Sequence, residues 1–243
     1  MKKKIWIYTK MIMLLAGLSA LFAFSEQRHA KRKVNNISVR FVGEENLYIT
    51  EASINKLLKQ KWREPSGIAE ENIVLSTVEN HLDQNPMIAK SEVYLTVNGT
   101  LGVEVTQRIP LVRIMSSAPY YLDTEGEPMP LSGNYSARVP LVNHVAQKDL
   151  DNVYLMAKTI DRDSFLKKHI TDIQKNDAGD FEWHIRTFDF VIILGTAEHL
   201  DRKIKNFKAF YQKAKKDNML DVYETINLTY TNQVVCIKKE TNK

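Results

Sequence analysis

At 243 residues with 44% hydrophobic content, the chain can bury at least one sizeable core, which excludes a disordered polypeptide. The net charge of +5 does not mark a nucleic-acid binder. Residues 1–33 hold eight of the 34 Lys and Arg and only Glu26 of the acids, so residues 34–243 carry 26 basic against 28 acidic residues, a net −2.

The basic excess flanks an apolar segment. After Lys2, Lys3 and Lys4 the chain runs Ile5 to Phe24, and from Met11 onward only Gly17, Ser19 and alanines interrupt the large apolar residues. Crossing a bilayer takes about 20 residues. Counted from Ile5 the length suffices if Lys10 snorkels to the interface. Counted from Met11 it has the length of a signal-peptide core, with Ala23-Phe24-Ser25 as a small-x-small cleavage site. Both readings export the body of the protein. The expectation is a retained transmembrane helix, its N-terminus held inside by Lys2 to Lys4, with a juxtamembrane linker to residue 33. One cysteine, Cys236, excludes an intramolecular disulfide, so packing alone must stabilise the body.

Beyond the linker, Ile37, Val39 and Phe41 alternate with polar residues as in a half-buried strand closed by Gly43. Thr50 stands as the N-cap of a helix in which Ile54, Leu57 and Leu58 recur at helical spacing as far as Trp62. A second helix is predicted over Glu71–Asn85, with Ile73, Leu75, Val78 and Leu82 on one face and Pro86 ending it. A hairpin comes next, Ile88–Val97 and Leu101–Arg108, turned at Asn98-Gly99. Strand, helix, helix, strand, strand makes an α+β module with helices on one face of a small sheet. Pro110 to Tyr120 has little periodicity and reads as a joint, so the domains are expected at 34–118 and 119–243.

The second domain reads as β-rich with helices. Asp149–Leu166 has helical spacing; Ile170–Gln174, Phe181–Arg186 and Asp189–Leu194 read as strands. In the helix Glu198–Asp217, Leu200, Ile204, Phe207, Phe210, Tyr211 and Ala214 form an apolar stripe. Arg202, Lys203, Lys205, Lys208, Lys213, Lys215 and Lys216 read as a solvated face or as a contact for lipid or a partner. A long β stretch, Val222–Lys239, ends the ordered chain. Within it Ile226, Leu228 and Tyr230 alternate with Asn227, Thr229 and Thr231, a pattern that suits a strand at a sheet edge and a strand paired on both sides equally.

A search for chemistry returns little. Ser164-Phe165-Leu166-Lys167 fits Ser-x-x-Lys, but its Ser-Asp-Asn and Lys-Thr-Gly companions are missing from the sequence. The six histidines form no His-x-x-x-His pair, and the sequence has neither a phosphate-binding glycine loop nor a Gly-x-Ser-x-Gly elbow. Glu79 and Asp83 lie one helical turn apart, a spacing far commoner for exposed charges than for acid/base pairs. The reading is of a non-enzyme without cofactor, metal or small-molecule substrate.

Pro86-Met87-Ile88-Ala89-Lys90-Ser91-Glu92-Val93, Leu101-Gly102-Val103-Glu104-Val105-Thr106-Gln107-Arg108-Ile109-Pro110, Tyr121-Leu122-Asp123-Thr124-Glu125-Gly126, Val139-Pro140-Leu141-Val142 and Phe190-Val191-Ile192-Ile193-Leu194-Gly195, taken together and in this order, resemble the FtsQ/DivIB cell-division family. Asn143 stands where the family usually has glycine. The resemblance implies a POTRA domain followed by an FtsQ-type β-domain, in a single-pass protein of the bacterial inner membrane. Its N-terminus would be cytoplasmic and its body periplasmic, at the division site. It further implies FtsB- and FtsL-like divisome partners, control of septal wall synthesis, and a C-terminal edge strand that takes FtsB as an added strand. Leu228, Thr229, Tyr230, Thr231, Asn232, Gln233, Val234 and Val235 would form that site, with Tyr230 as the aromatic anchor. Two other classes are a POTRA-bearing transport or assembly component and an envelope enzyme with an unrecognised site.

Overall fold

The computed structural model describes residues 2–30, 34–43, 47–61, 74–230 and 232–240. The chain divides into two compact units after Gln107. In the first, α1 (Lys2–Ala30) is one unbroken helix through the apolar segment. Its large apolar side chains from Met11 to Phe24 are exposed, Met13 and Phe22 most of all. Among the described residues no helix is long and apolar enough to cross a membrane.

The rest of the first unit is β1 (Asn36–Val42), α2 (Glu51–Lys61), α3 (Leu75–Asp83), β2 (Ile88–Leu95) and β3 (Thr100–Gln107), in the sheet order β1-β3-β2. β3 is central, parallel to β1 and antiparallel to β2. Thr50 caps α2 as its sequence foretells, its Oγ1 accepting from the Ser53 N–H at 3.2 Å. α3 begins later than predicted, and Glu71 to Ile73 lie outside the described residues. Gly99, at φ +78°, turns the hairpin in the left-handed region that glycine enters freely. Ile54, Leu58, Val78, Leu82, Val93 and Val103 meet in the core between helices and sheet. Ile37, Val39 and Leu57, expected inside, are only partly buried against it.

The second unit holds one nine-stranded sheet, and it moves the expected joint. Residues 110–120 do not form a linker. β4 (Pro110–Ile114) pairs with β5 (Tyr120–Asp123) on one side and β7 (Leu141–Asn143) on the other, β6 (Pro128–Pro130) lying beyond β5. A register shift in β4 lets Leu111 and Val112 both be buried, which removes the alternation by which a strand is recognised. α4 (Leu150–Arg162) and α5 (Ser164–His169) replace the single helix expected over Asp149–Leu166. The break is Asp163, extended at φ −109°, whose carboxylate accepts from the Phe165 and Leu166 N–H groups at 3.0 and 3.1 Å. Next come β8 (Ile170–Lys175), β9 (Phe181–Ile185), β10 (Val191–Gly195), α6 (Leu200–Lys216), β11 (Tyr223–Asn227) and β12 (Val235–Lys238).

The sheet order is β12-β11-β10-β9-β8-β7-β4-β5-β6. Trp183, Ile192, Leu194 and Ile226 from the sheet and Phe190, just before β10, share a core with Val153, Met156 and Ile160 of α4 and Ile204, Phe207 and Tyr211 of α6. Lys203 is not on the solvated face of α6. It is 3% exposed, and its ammonium donates to the Leu194 and Thr196 carbonyls at 2.7 and 2.9 Å. Burial lowers its pKa from the usual 10.5.

Candidate partner-binding edge

The two ends of the nine-stranded sheet differ in kind. β6 is three residues long, Pro128-Met129-Pro130, and two of those residues have no N–H to offer a further strand. Met129 between them is fully buried. β12 at the other end has no proline, and among the described residues no strand pairs with its outer side.

The direction of its free groups is fixed by one bond. The Lys239 N–H donates to the Val222 carbonyl at 2.9 Å, so position 239 faces β11. Successive residues of a strand aim their N–H and C=O groups to opposite sides, and the register of β12 on β11 shifts only through an extra residue in β11. Ile237 and Val235 therefore bond inward, while Cys236 and Lys238 present N–H and C=O outward.

Side chains divide along the other axis. Cys236 packs against the core of the second unit, whereas Val235 and Ile237 are 39% and 56% exposed on the opposite face. That face continues across the sheet in two register rows, Ile237–Thr225–Val191–His184–Asp172 and Val235–Asn227–Ile193–Glu182–Gln174. Its middle is polar: Gln174 Nε2 lies 2.6 Å from His184 Nε2, and Asn176 donates to Glu182 at 2.6 Å. The apolar side chains in these rows, Val191 and Ile193 on β10 and Val235 and Ile237 on β12, are thus confined to the β12 end, with Thr225 and Asn227 of β11 between the two pairs.

The residues singled out from sequence do not form one edge strand. β11 pairs on both sides, with β10 and with β12, and the described residues 228–230 and 232–234 lie between these two strands. Leu228 is buried, its N–H bonded to the Ile193 carbonyl at 2.8 Å. The Thr229 N–H donates to the Asn227 side chain at 2.8 Å, an Asx turn that ends β11. Tyr230 is 55% exposed and Gln233 is exposed. Asn232 accepts from Arg202 of α6 at 3.3 Å, Val234 packs partly on the core, and Thr231 lies outside the described residues. Only Val235 stands in the edge strand itself, and Cys236, Ile237 and Lys238 are the edge residues that the sequence reading missed. Asn227 was the available signal, since an Asn at a strand end favours a turn.

Two supports hold this end of the sheet. Lys203 ties down Leu194 and Thr196 around Gly195, which is at φ +73°. A Cβ at Gly195 would lie 3.2 Å from Thr229 Cγ2, so the turn rests directly on this glycine.

The catalytic candidates are engaged in structural bonds. Lys167 binds Asp161 at 2.7 Å, and the residue before Ser164 caps α5. Glu79 accepts from the Val93 N–H at 2.9 Å, and Asp83 accepts from the Ser91 hydroxyl at 2.7 Å. Among the described residues no group of three or more His, Cys, Asp or Glu could hold a metal ion.

Residues 109–237 match the family described as FtsQ/DivIB, C-terminal related, and residues 35–106 match the POTRA-like domain. A curated relative, the cell division protein FtsQ of Geotalea daltonii, is 20% identical over 178 residues, covering 68% of this chain. The match spans 63% of that relative's own length.

Proposed function

This chain belongs to the FtsQ/DivIB family, and from that premise we propose that it is a non-enzymatic cell-division scaffold that receives a partner strand at β12. The observation that carries the reading is the asymmetry of the nine-stranded sheet, closed by prolines at β6 and open at β12. An incoming extended segment would bond to the outward groups of Cys236 and Lys238, and its side chains would meet Val235, Ile237 and the exposed Tyr230. FtsB- and FtsL-like membrane proteins of the same cell are the partners, and their assembly on this chain helps control septal wall synthesis.

Residues 2–30 act as a single-pass anchor at the inner membrane, with both folded units in the periplasm. The reading is supported by a helix without a break over 29 residues, about 43 Å long, whose described apolar side chains from Met11 to Phe24 face outward all round. Lys10 sits one turn from Trp6, its ammonium 3.6 Å from the ring centroid, a pairing suited to the membrane interface. The topology is checked by placing a thiol at exposed Asn134 in a Cys236→Ser background. A membrane-impermeant reagent should label it from the periplasmic side, and labelling only from the cytoplasm overturns the anchor.

Proline substitution tests the edge. Cys236→Pro or Lys238→Pro removes an outward N–H and should leave thermal unfolding unchanged while weakening FtsB-like binding by about 30-fold, near 2 kcal/mol. Ile237→Pro removes an inward bond and should unfold this end of the sheet. Tyr230→Ala should cost about 2 kcal/mol of binding as an aromatic anchor. If Cys236→Pro and Lys238→Pro both fold and bind as the parent does, strand addition at β12 is wrong.

A further inference from the structure

The helices of the second unit carry a charge that its packing does not use. On α4, α5 and α6, with the cap residue Asp163, ten Lys and Arg besides the buried Lys203 stand against the four acids Asp151, Asp161, Asp163 and Asp201, although residues 34–243 as a whole are net −2. Two of those acids are taken by Lys167 and Lys208. Lys205, Lys213, Lys215 and Lys216 of α6 and Arg162 of α4 are exposed, and among the described residues none has an ion-pair or hydrogen-bond partner. Arg202 holds only the neutral Asn232.

The free cations are ordered along one helix. At about 100° per residue Arg202, Lys205, Lys213 and Lys216 fall on a single stripe opposite the buried Ile204, Phe207 and Tyr211, about 21 Å from end to end. Ala209 is its apolar member, and the acids Asp201 and Asp217 stand at the two ends of the helix. Beside its first half an open groove between α4 and α6 is lined by Arg162, Asp163, Asp201, Lys205 and Lys208. With Asp163 paired to Lys208, Arg162 and Lys205 there face one remaining acid, Asp201.

This composition separates two classes of anionic partner. A protein would find no aromatic or large aliphatic side chain on the stripe to bury, and lysine is depleted where proteins meet. A layer of lipid phosphates needs no such anchor and is held by several lysines acting together. We infer that the outward face of α6 docks on the anionic headgroups of a bilayer, one phosphate sitting in the groove between Arg162 and Lys205. The inference rests on the reading of α1 as an anchor, which tethers this unit to a headgroup layer. Cys236 packs toward the helices while Val235 and Ile237 face the opposite side of the sheet, so docking through α6 leaves those two side chains open.

The test uses the full chain in nanodiscs of phosphatidylcholine, with and without phosphatidylglycerol, containing a rhodamine-headgroup lipid as energy acceptor. A donor dye is placed at the exposed Gln212→Cys in a Cys236→Ser background. The comparison site is Asn134→Cys, near Ala137, whose N–H bonds the Tyr121 hydroxyl on the face of the sheet away from the core residue Leu122. Phosphatidylglycerol should raise energy transfer from position 212 and not from 134, and the rise should vanish in ~1 M salt, where charges are screened within about 3 Å. Lys205→Gln with Lys213→Gln and Lys216→Gln should lower the ratio of docked to undocked protein by about 100-fold, at about fivefold per lysine, and arginine at the same three positions should restore it. No rise at 212, an equal rise at 134, or a rise that survives in the triple glutamine variant overturns the inference. Polyglutamate bound by the parent and not by that variant, with no response to phosphatidylglycerol, overturns it in favour of an acidic protein. Failure of the chain to enter nanodiscs is instead a failure of the anchor; pelleting with phosphatidylglycerol vesicles then reads the face alone, and pelleting that the triple variant keeps, or no pelleting, overturns the docking.

Discussion

In the three-stranded sheet the outer strand β2 is closed by side chains, Glu79 accepting the Val93 N–H and Asp83 holding Ser91. In the nine-stranded sheet β6 is closed by the backbone itself, because Pro128 and Pro130 have no N–H. The first device depends, at the Val93 N–H, on the Glu79 carboxylate and can be removed by a single substitution. The second is built into the chain at every pH. Their common lesson lies in the strands left over: at β1 a side chain, that of Asn36, takes the Ile37 N–H, whereas β12 carries neither device among the described residues, and each is the far edge of its sheet.

Breaking the side-chain closure should have the largest effect on stability. Glu79→Ala leaves the Val93 N–H without its partner and should cost about 1–3 kcal/mol, read by urea unfolding together with faster hydrogen exchange at the Val93 amide. Glu79→Gln keeps an acceptor oxygen and should recover most of the loss. Equal losses for Ala and Gln would show that charge, and not acceptance of the N–H, closes β2.

The buried support of the β12 end gives the next effect. Lys203→Met strips two carbonyls of their donor and should destabilise by about 1–3 kcal/mol near neutral pH. The sign of its pH dependence is set by burial. The folded pKa lies below the unfolded value of 10.5, so between the two the unfolded chain binds more protons and this group's contribution to stability rises with pH. The gap between the parent and Lys203→Met should therefore widen as pH climbs through that window toward 10.5. A gap that narrows would mean that the ammonium form is favoured by the fold.

Opening the backbone closure should barely touch stability. Pro128→Thr with Pro130→Thr should shift it by less than about 1 kcal/mol, chiefly through the unfolded chain, yet promote self-association visible in sedimentation. If that variant stays as monodisperse as the parent, proline is not what keeps β6 single.

Much of this arrangement was legible in the residues, and the losses have local causes. The first module followed from alternation at Ile37–Phe41, helical spacing at Ile54–Leu58 and the Asn98-Gly99 turn, each a short-range signal that tertiary packing did not override. β4 was missed because Leu111 and Val112 are both buried across a bulge, so a central strand looked like a patternless link. Asp163 was read as helix interior, although its carboxylate competes for the next helix's N–H groups. At the C-terminal end the alternation was real for Ile226 and Leu228, both buried, and ended there because the Asn227 side chain captures the Thr229 N–H. The candidate site thus falls mostly between β11 and β12, and of its described residues only Val235 lies in the outermost strand. Lys203 gave no sequence signal at all: a lysine in a basic run looks solvated until the carbonyls that claim it are seen.

The brevity of β12 has a kinetic consequence. Cys236 and Lys238 present two N–H and two C=O groups, and at about 0.5–1.5 kcal/mol each the backbone contributes about 2–6 kcal/mol to a bound strand. Micromolar affinity takes about 8 kcal/mol. On the proposed strand addition, backbone pairing alone would make a clasp that opens quickly, and its dwell time would be set by what lies beside it: Tyr230, Val235, Ile237, and the raised local concentration of a partner confined to the same membrane. Substitutions at those three side chains can lengthen or shorten residence while the sheet that carries them stays as it is.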